Sequence, residues 1–209
     1  MRQASPPGWS RSGSIGTGGL NLGTTGSPGA FDLLGLTAGS YSLPSSASLA
    51  GVGTLSGFNK SLAVLGAFTP GNSAGTITVG SGLSLDLSQS RSSVFEITSP
   101  AYTAGTYDLV NGDGSVVFGG ILNLVFSNGP YADGTDVLQL FANTGSRSGD
   151  FSAVSFTGLG AGQSATFNPA TGAISVIPEP SAIALIVSAS AGLAGLLQWR
   201  KRQTAQAAA

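Results

Sequence analysis

The chain has 209 residues, 33 of them Gly, with 41% apolar and only 8% charged side chains, against roughly a quarter charged in an ordinary soluble domain. That composition excludes a solvated, charge-rich disordered tail and allows one domain with a modest core and many turns. Net charge is −1, yet Arg200, Lys201 and Arg202 hold three of the eight basic groups, so the rest of the chain is acidic and lacks the basic footprint that nucleic acid requires.

The opening stretch, MRQASPPGWSRSGSIGTGG, lacks the roughly 7–15-residue apolar segment of a signal peptide, which predicts a cytoplasmic start. Residues 1–60 are rich in Gly, Ser and Thr and read as irregular, with weak strands near GAFDLLGL (29–36) and GVGTLSGF (51–58). SLAVLGAF (61–68) fits a short strand or a buried helical turn equally well at that length. From residue 75 the alternation sharpens, within a β-rich body over residues 61–176. Ile77 and Val79, then Leu83, Leu85 and Leu87, Phe95 and Ile97, Tyr107 and Leu109, Leu122, Leu124 and Phe126, and Leu138 and Leu140 recur at period two. That spacing sets one face of a strand against a core. Gly, Asn, Asp and Pro punctuate the strands every few residues.

A weak repeat relates YDLVNGDGSVVFGGILNLVF (107–126) to LQLFANTGSRSGDFSAVSF (138–156), with Leu109 and Leu140 in equivalent places. A repeat of that length marks stacked supersecondary units. The expected class is therefore all-β, a short β-solenoid, with a jelly roll or β-sandwich as the alternative because it shows the same alternation.

The chain has no Cys and no His, which removes disulfides, thiolate metal sites and the commonest general base. GNSAG (71–75) matches G-x-S-x-G around Ser73, but a nucleophile elbow needs a strand before it, a helix after it and a base to activate the Ser. Pro70 precedes, a strand follows, and a turn is the better reading. Asn111, Asp113, Asp133 and Asp136 lie in turn sequences, NGDG and YADGTD. Oxygen-rich loops can hold Ca²⁺, but these match no Ca²⁺-binding repeat and are ordinary turn residues. Glu96, Asp86, Asp108 and Asp150 supply the acids from which a glycosidase pair would be drawn; Asp86, between Leu85 and Leu87, belongs on the solvent side. No cofactor-binding motif is present, and no catalytic, cofactor or metal site is assigned.

The C-terminus carries the sharpest signal. Ser181 to Gln198 contain no charge and as a helix would span about 27 Å, close to the roughly 30 Å hydrocarbon core. Trp199 suits the headgroup boundary, and the Arg200, Lys201 and Arg202 cluster belongs on the cytoplasmic side, placing the body outside. The single helix is marginally apolar, as suits a temporary anchor. Ala184, Ser188 and Gly192 form a small-residue stripe along it, where another helix packs closely. Pro178 and Pro180 hold their predecessors extended, so residues 177–180 form an exposed linker.

Pro178, Glu179 and Pro180, the apolar run and the basic cluster together resemble the PEP-CTERM protein-sorting signal, over residues 177–202, with 203–209 as a tail. The resemblance implies export in a Gram-negative bacterium that makes exopolysaccharide. It also implies transient anchoring in the inner membrane and processing near Pro-Glu-Pro by an exosortase-type sorting enzyme. Cell-surface or extracellular placement follows, with exopolysaccharide as a candidate partner. SGDFSAVSF and TGAISVIPEPS are more loosely similar to autotransporter-associated β-strand repeat proteins, which implies a β-helical surface protein. Family members begin with a signal peptide; this chain departs from them there, and the expectation is a start upstream of Met1 or a longer parent protein. The function expected is a non-enzymatic structural or adhesive surface protein, the alternative a secreted carbohydrate-binding or carbohydrate-active module.

Overall fold

The computed structural model describes residues 14–179 apart from 17 and 72. Its strands follow one another in coils. The first holds β1 (Ser14–Gly16), β2 (Gly19–Asn21), β3 (Gly23–Thr24), β4 (Ser27–Asp32) and β5 (Ser40–Leu43); the second β6 (Ser48–Gly51), β7 (Gly53–Ser56) and β8 (Lys60–Val64). The third holds β9 (Ala67–Pro70), β10 (Thr76–Val79) and β11 (Leu83–Asp86), the fourth β12 (Ser92–Ile97), β13 (Leu109–Gly112) and β14 (Ser115–Phe118). The fifth contains β15 (Ile121–Phe126), β16 (Gly134–Gln139) and β17 (Arg147–Gly149), and β18 (Ala153–Thr157), β19 (Gln163–Asn168) and β20 (Ala173–Pro178) complete the chain.

Corresponding strands of successive coils stack side by side. One sheet runs β1-β2-β6-β9-β12-β15-β18, a second β13-β10-β7-β4-β3, a third β17-β14-β11-β8-β5. Within them the coil-to-coil pairing is parallel, and only β1 on β2 and β3 on β4 are antiparallel. The first four coils thus visit the three sheets in the same order, and in the fifth the middle strand, β16, joins a separate sheet. Among the described residues there is no helix, and no sheet closes into a barrel. Over the described residues the protein is all-β, as the alternation predicts.

Parallel register stacks like on like. Leu20, Leu49 and Phe68 stand in one inward column, Tyr41, Leu62, Leu85 and Val116 in another. Burying each large apolar side chain contributes roughly 1.5–3 kcal/mol, and each column is lined by the next coil's side chains rather than by a second layer. The repeat in the sequence is this stacking: Val110 lies beside Phe141, Val116 beside Arg147 and Leu124 beside Phe156. Thr144 Oγ1 donates to Asp113 Oδ1 and Ser146 Oγ to Ser115 Oγ, each across 31 residues of chain.

Two sequence expectations are revised. The strands read as weak before residue 60 belong to the same three sheets; Leu33, Leu43 and Leu55 are fully buried, and a boundary at 60 would fall inside β8. Coils this rich in Gly and Ser need only an apolar residue or two per strand, because the neighbouring coil supplies the rest of the core. Second, Tyr107 only packs against the core from its margin and Leu109 is half-buried; neither occupies the interior. Asp108 and Val110 do, because backbone N–H groups take the Asp108 carboxylate inside and fix the phase. SLAVLGAF resolves into β8 and β9, with Leu62, Val64 and Phe68 buried.

Corners require Gly where the backbone turns left-handed. Gly112 has φ +101°, and a Cβ there would lie 2.3 Å from the Val79 carbonyl oxygen. The far end is closed by β16-β20-β19, an antiparallel sheet, over an aromatic cluster centred on Phe141. Its ring lies 4.9 Å from Phe118, 5.0 Å from Phe95 and 5.9 Å from Phe167. Phe141→Ala should therefore lower unfolding free energy by about 3–5 kcal/mol, read by chemical denaturation. A loss below about 1 kcal/mol would show that the end sheet does not depend on this cluster.

Candidate functional site

The candidates drawn from the sequence separate in space. Ser73 is exposed in the bend between β9 and β10 with φ 68°, a turn residue without a base. Asn111 Oδ1 accepts the Thr78 hydroxyl, Asp113 that of Thr144, and Asp133 Oδ1 a Gln163 Nε2 proton at 2.7 Å. The Asp136 N–H donates to Ser175 Oγ. Among the described residues, no three acidic side chains gather into a cation site. Each of these groups instead ties one coil or strand to its neighbour.

Of the four candidate acids, Asp150 is exposed and accepts the N–H of Phe151. Asp108 is buried, 3% exposed. Its Oδ1 accepts the Gly75 N–H and its Oδ2 the Glu96 N–H, both at 2.8 Å, and its own N–H donates to the Glu96 carbonyl. One carboxyl thus joins the loop before β10 to β12 and to the start of β13. Burial pushes it from 3.8 up to about 7; the two N–H donors oppose the rise and the charge of Glu96 adds to it. Enclosed by backbone, it is a staple between coils. Its neighbour Glu96 is half-buried on the outward side, so the two do not flank a cleft.

Asp86 stands differently. It lines a surface groove of about 170 Å³ with Ser42, Ala63, Ser88 and Gln89, floored by Val64 and Leu65. Ser42, Ala63 and Asp86 come from β5, β8 and β11 and are register partners. The Ser88 N–H donates to Asp86 Oδ1. Sequence reasoning placed Asp86 on the solvent side but missed the groove. Its residues lie in three separate segments, and only the coil register brings them together.

The sorting motif begins where the body stops. β20 runs through Pro178, which lies opposite Gln163, and the Glu179 N–H donates to the Gly162 carbonyl at 2.7 Å. Ile177, Pro178 and Glu179 are all exposed. The linker therefore starts as a tied strand end on the outside of the last sheet. Pro180, the apolar run with Ala184, Ser188 and Gly192, and the cluster Arg200, Lys201 and Arg202 lie outside the described residues. Among the described residues no helix is long and apolar enough to cross a membrane.

No family model, no curated protein and no solved structure matches the chain.

Asp108 generates a pH prediction. Its folded pKa lies above its unfolded one, so the stability it contributes is complete below 3.8 and is lost as pH rises toward about 7. Asp108→Asn cannot ionise, so it should flatten that slope. Its amide NH₂ must also face one of the two N–H donors, so the variant should be less stable at acid pH by about 1–3 kcal/mol. Urea melts at a series of pH values from 4 to 8 read both effects. An unchanged slope in the variant would assign the pH dependence to other groups.

Proposed function

We propose that the protein is an exported bacterial surface or extracellular-matrix protein with a structural or adhesive role and no enzymatic activity. Its body is a short β-solenoid, and residues 177–202 are a sorting signal handled by an exosortase-type enzyme. The observation that carries this reading is the abutment of motif and body. Pro178-Glu179-Pro180 begins on the last residue of the last strand, Pro178, and residues 177–179 are exposed there. A cut at or beyond that point releases the body with β20 still paired to β16 and β19, so processing costs the fold nothing.

The rest of the sequence supports the same reading. The uncharged run 181–198 serves as the transient inner-membrane anchor, and Arg200, Lys201 and Arg202 hold the far side in the cytoplasm. The small-residue stripe Ala184, Ser188 and Gly192 gives the sorting enzyme a face for close helix contact. The absence of His and Cys, a turn-bound Ser73 and an enclosed Asp108 support a non-catalytic body.

Replacing Pro178, Glu179 and Pro180 together with Ala should leave stability within about 0.5 kcal/mol, since these are exposed surface changes, yet abolish processing. Full-length protein should then accumulate in the inner membrane. Leu193→Arg should act differently, because it costs roughly 2.5–3.5 kcal/mol of insertion energy near the helix centre and should release the protein from the membrane. Mass spectrometry of the C-terminus, in a host with the sorting enzyme and in one without, reads the outcome. A wild-type tail that stays intact in both hosts after confirmed export reduces the segment to a plain tail anchor.

A further inference from the structure

The outer face of the sheet β17-β14-β11-β8-β5 carries a lattice of hydroxyls. Ser40, Ser61, Ser84 and Ser115 are register partners on four successive coils, spaced at about 4.8 Å by strand pairing. Two residues further along the strands, roughly 6.6 Å away, runs a second row, Ser42, Ala63, Asp86 and Val117. The surface groove opens on this row, where Ala63 leaves room between Ser42 and Asp86 and where Ser88 and Gln89 form the rim.

Two observations distinguish this face. Elsewhere the outward polar side chains bond to one another from coil to coil, as in Thr78 with Asn111, Asn123 with Ser92 and Ser155, and Thr144 with Asp113. On this face Ser115 accepts from Ser146 at the far edge, while among the described residues the side chains of Ser40, Ser42, Ser61, Ser84, Ser88 and Gln89 make no such bonds. The second observation is Phe58, at the corner that leads into β8. It is 62% exposed, and its ring is held against Gly82, where a Cβ would sit 2.5 Å from Phe58 Cδ2. The face thus runs from an exposed aromatic ring, across a hydroxyl row, to a polar groove.

We infer that this face binds a linear, uncharged polysaccharide laid along the strands, from the Phe58 ring across the hydroxyl row to the groove. Each part meets one feature of such a chain. A polymer of hydroxylated rings presents hydroxyls along its length to one row after the other. The apolar C–H face of a ring stacks on an aromatic side chain, as bases do on aromatic platforms. The groove takes a ring edge, with Asp86 accepting from its hydroxyls through a charge-assisted bond. Charge selects the class: Asp86 is the carboxylate in the groove, and of the two cations of these strands Lys60 is turned to the carbonyls of Leu36 and Ala38 and Arg147 to those of Phe141 and Asn143. An anionic polymer meets repulsion and no counter-charge from these strands. The inference deepens the matrix reading by naming the partner class, and rests on that reading for its biological setting, though not for the binding itself.

The test is isothermal titration of the full-length chain with neutral linear glucan oligosaccharides of increasing length, and with a polyuronic acid as the anionic contrast. Affinity should rise with oligosaccharide length and exceed that for the polyuronic acid. Phe58→Ala, Ser84→Val and Ala63→Leu remove the ring, remove one hydroxyl and fill the groove. Each should weaken binding by roughly threefold to tenfold, the range of one lost contact, with the thermal melt reporting that the fold is retained. Ser155→Val, on another sheet, should change nothing. No heat with any glucan, affinity independent of length, tighter binding of the polyuronic acid, or equal binding by the three face variants would each overturn the inference. C-terminal processing is read separately, so a failure here leaves the sorting reading standing.

Discussion

Everything in this molecule depends on parallel register between coils. Each coil is too short and too rich in Gly and Ser to bury itself. Leu49 is covered because Leu20 and Phe68 stand beside it in the same column, and Leu62 because Tyr41 and Leu85 do. A slip of one residue would turn every such column outward. The same register aligns the outward residues, so a structural requirement for the core produces rows of identical chemistry on the surface. The staple at Asp108 enforces the register where the coil between β12 and β13 is long, joining Gly75 and Glu96 through one carboxyl.

A stack of coils has two ends, and unpaired strand edges there invite unwanted pairing. At the far end the winding gives way to the antiparallel sheet β16-β20-β19. The inward column of β8, β11 and β14 ends not on an apolar residue but on Arg147, beside Val116. Its guanidinium donates to the carbonyls of Phe141 and Asn143 at 3.2 and 2.6 Å, closing the column with hydrogen bonds. The end sheet also carries the chain as a paired strand up to Pro178, the first residue of the Pro-Glu-Pro motif.

The sequence made some of this legible. Alternation located β10, β11, β12 and β15 with their inward residues, because strands one coil apart share one core and carry one phase. The spacing of the 107–126 and 138–156 segments was the coil repeat itself. The first sixty residues were harder, since Leu20 with Leu22, Phe31 with Leu33 and Tyr41 with Leu43 are isolated pairs among Gly and Ser, too short to show a period. Around residue 108 both phases offered apolar residues, and a buried carboxylate, which no periodicity weighs, decided between them. The hydroxyl rows and the groove beside Asp86 were invisible for a different reason: their members are far apart in the chain, and the coil lengths that align them vary.

Register is open to direct measurement because the chain has no Cys. Ser61 and Ser84 are partners on adjacent coils, about 4.8 Å apart and inside the separation a disulfide spans. Ser61 and Ser115 lie two coils apart, roughly 10 Å, and outside it. With Ser61→Cys and Ser84→Cys combined, mild oxidation should give an intramolecular disulfide in nearly all molecules, seen as a faster-migrating band and a two-proton mass loss. Ser61→Cys combined with Ser115→Cys should stay reduced. A disulfide in the second pair and none in the first would contradict in-register stacking, and with it the core and the aligned surface rows.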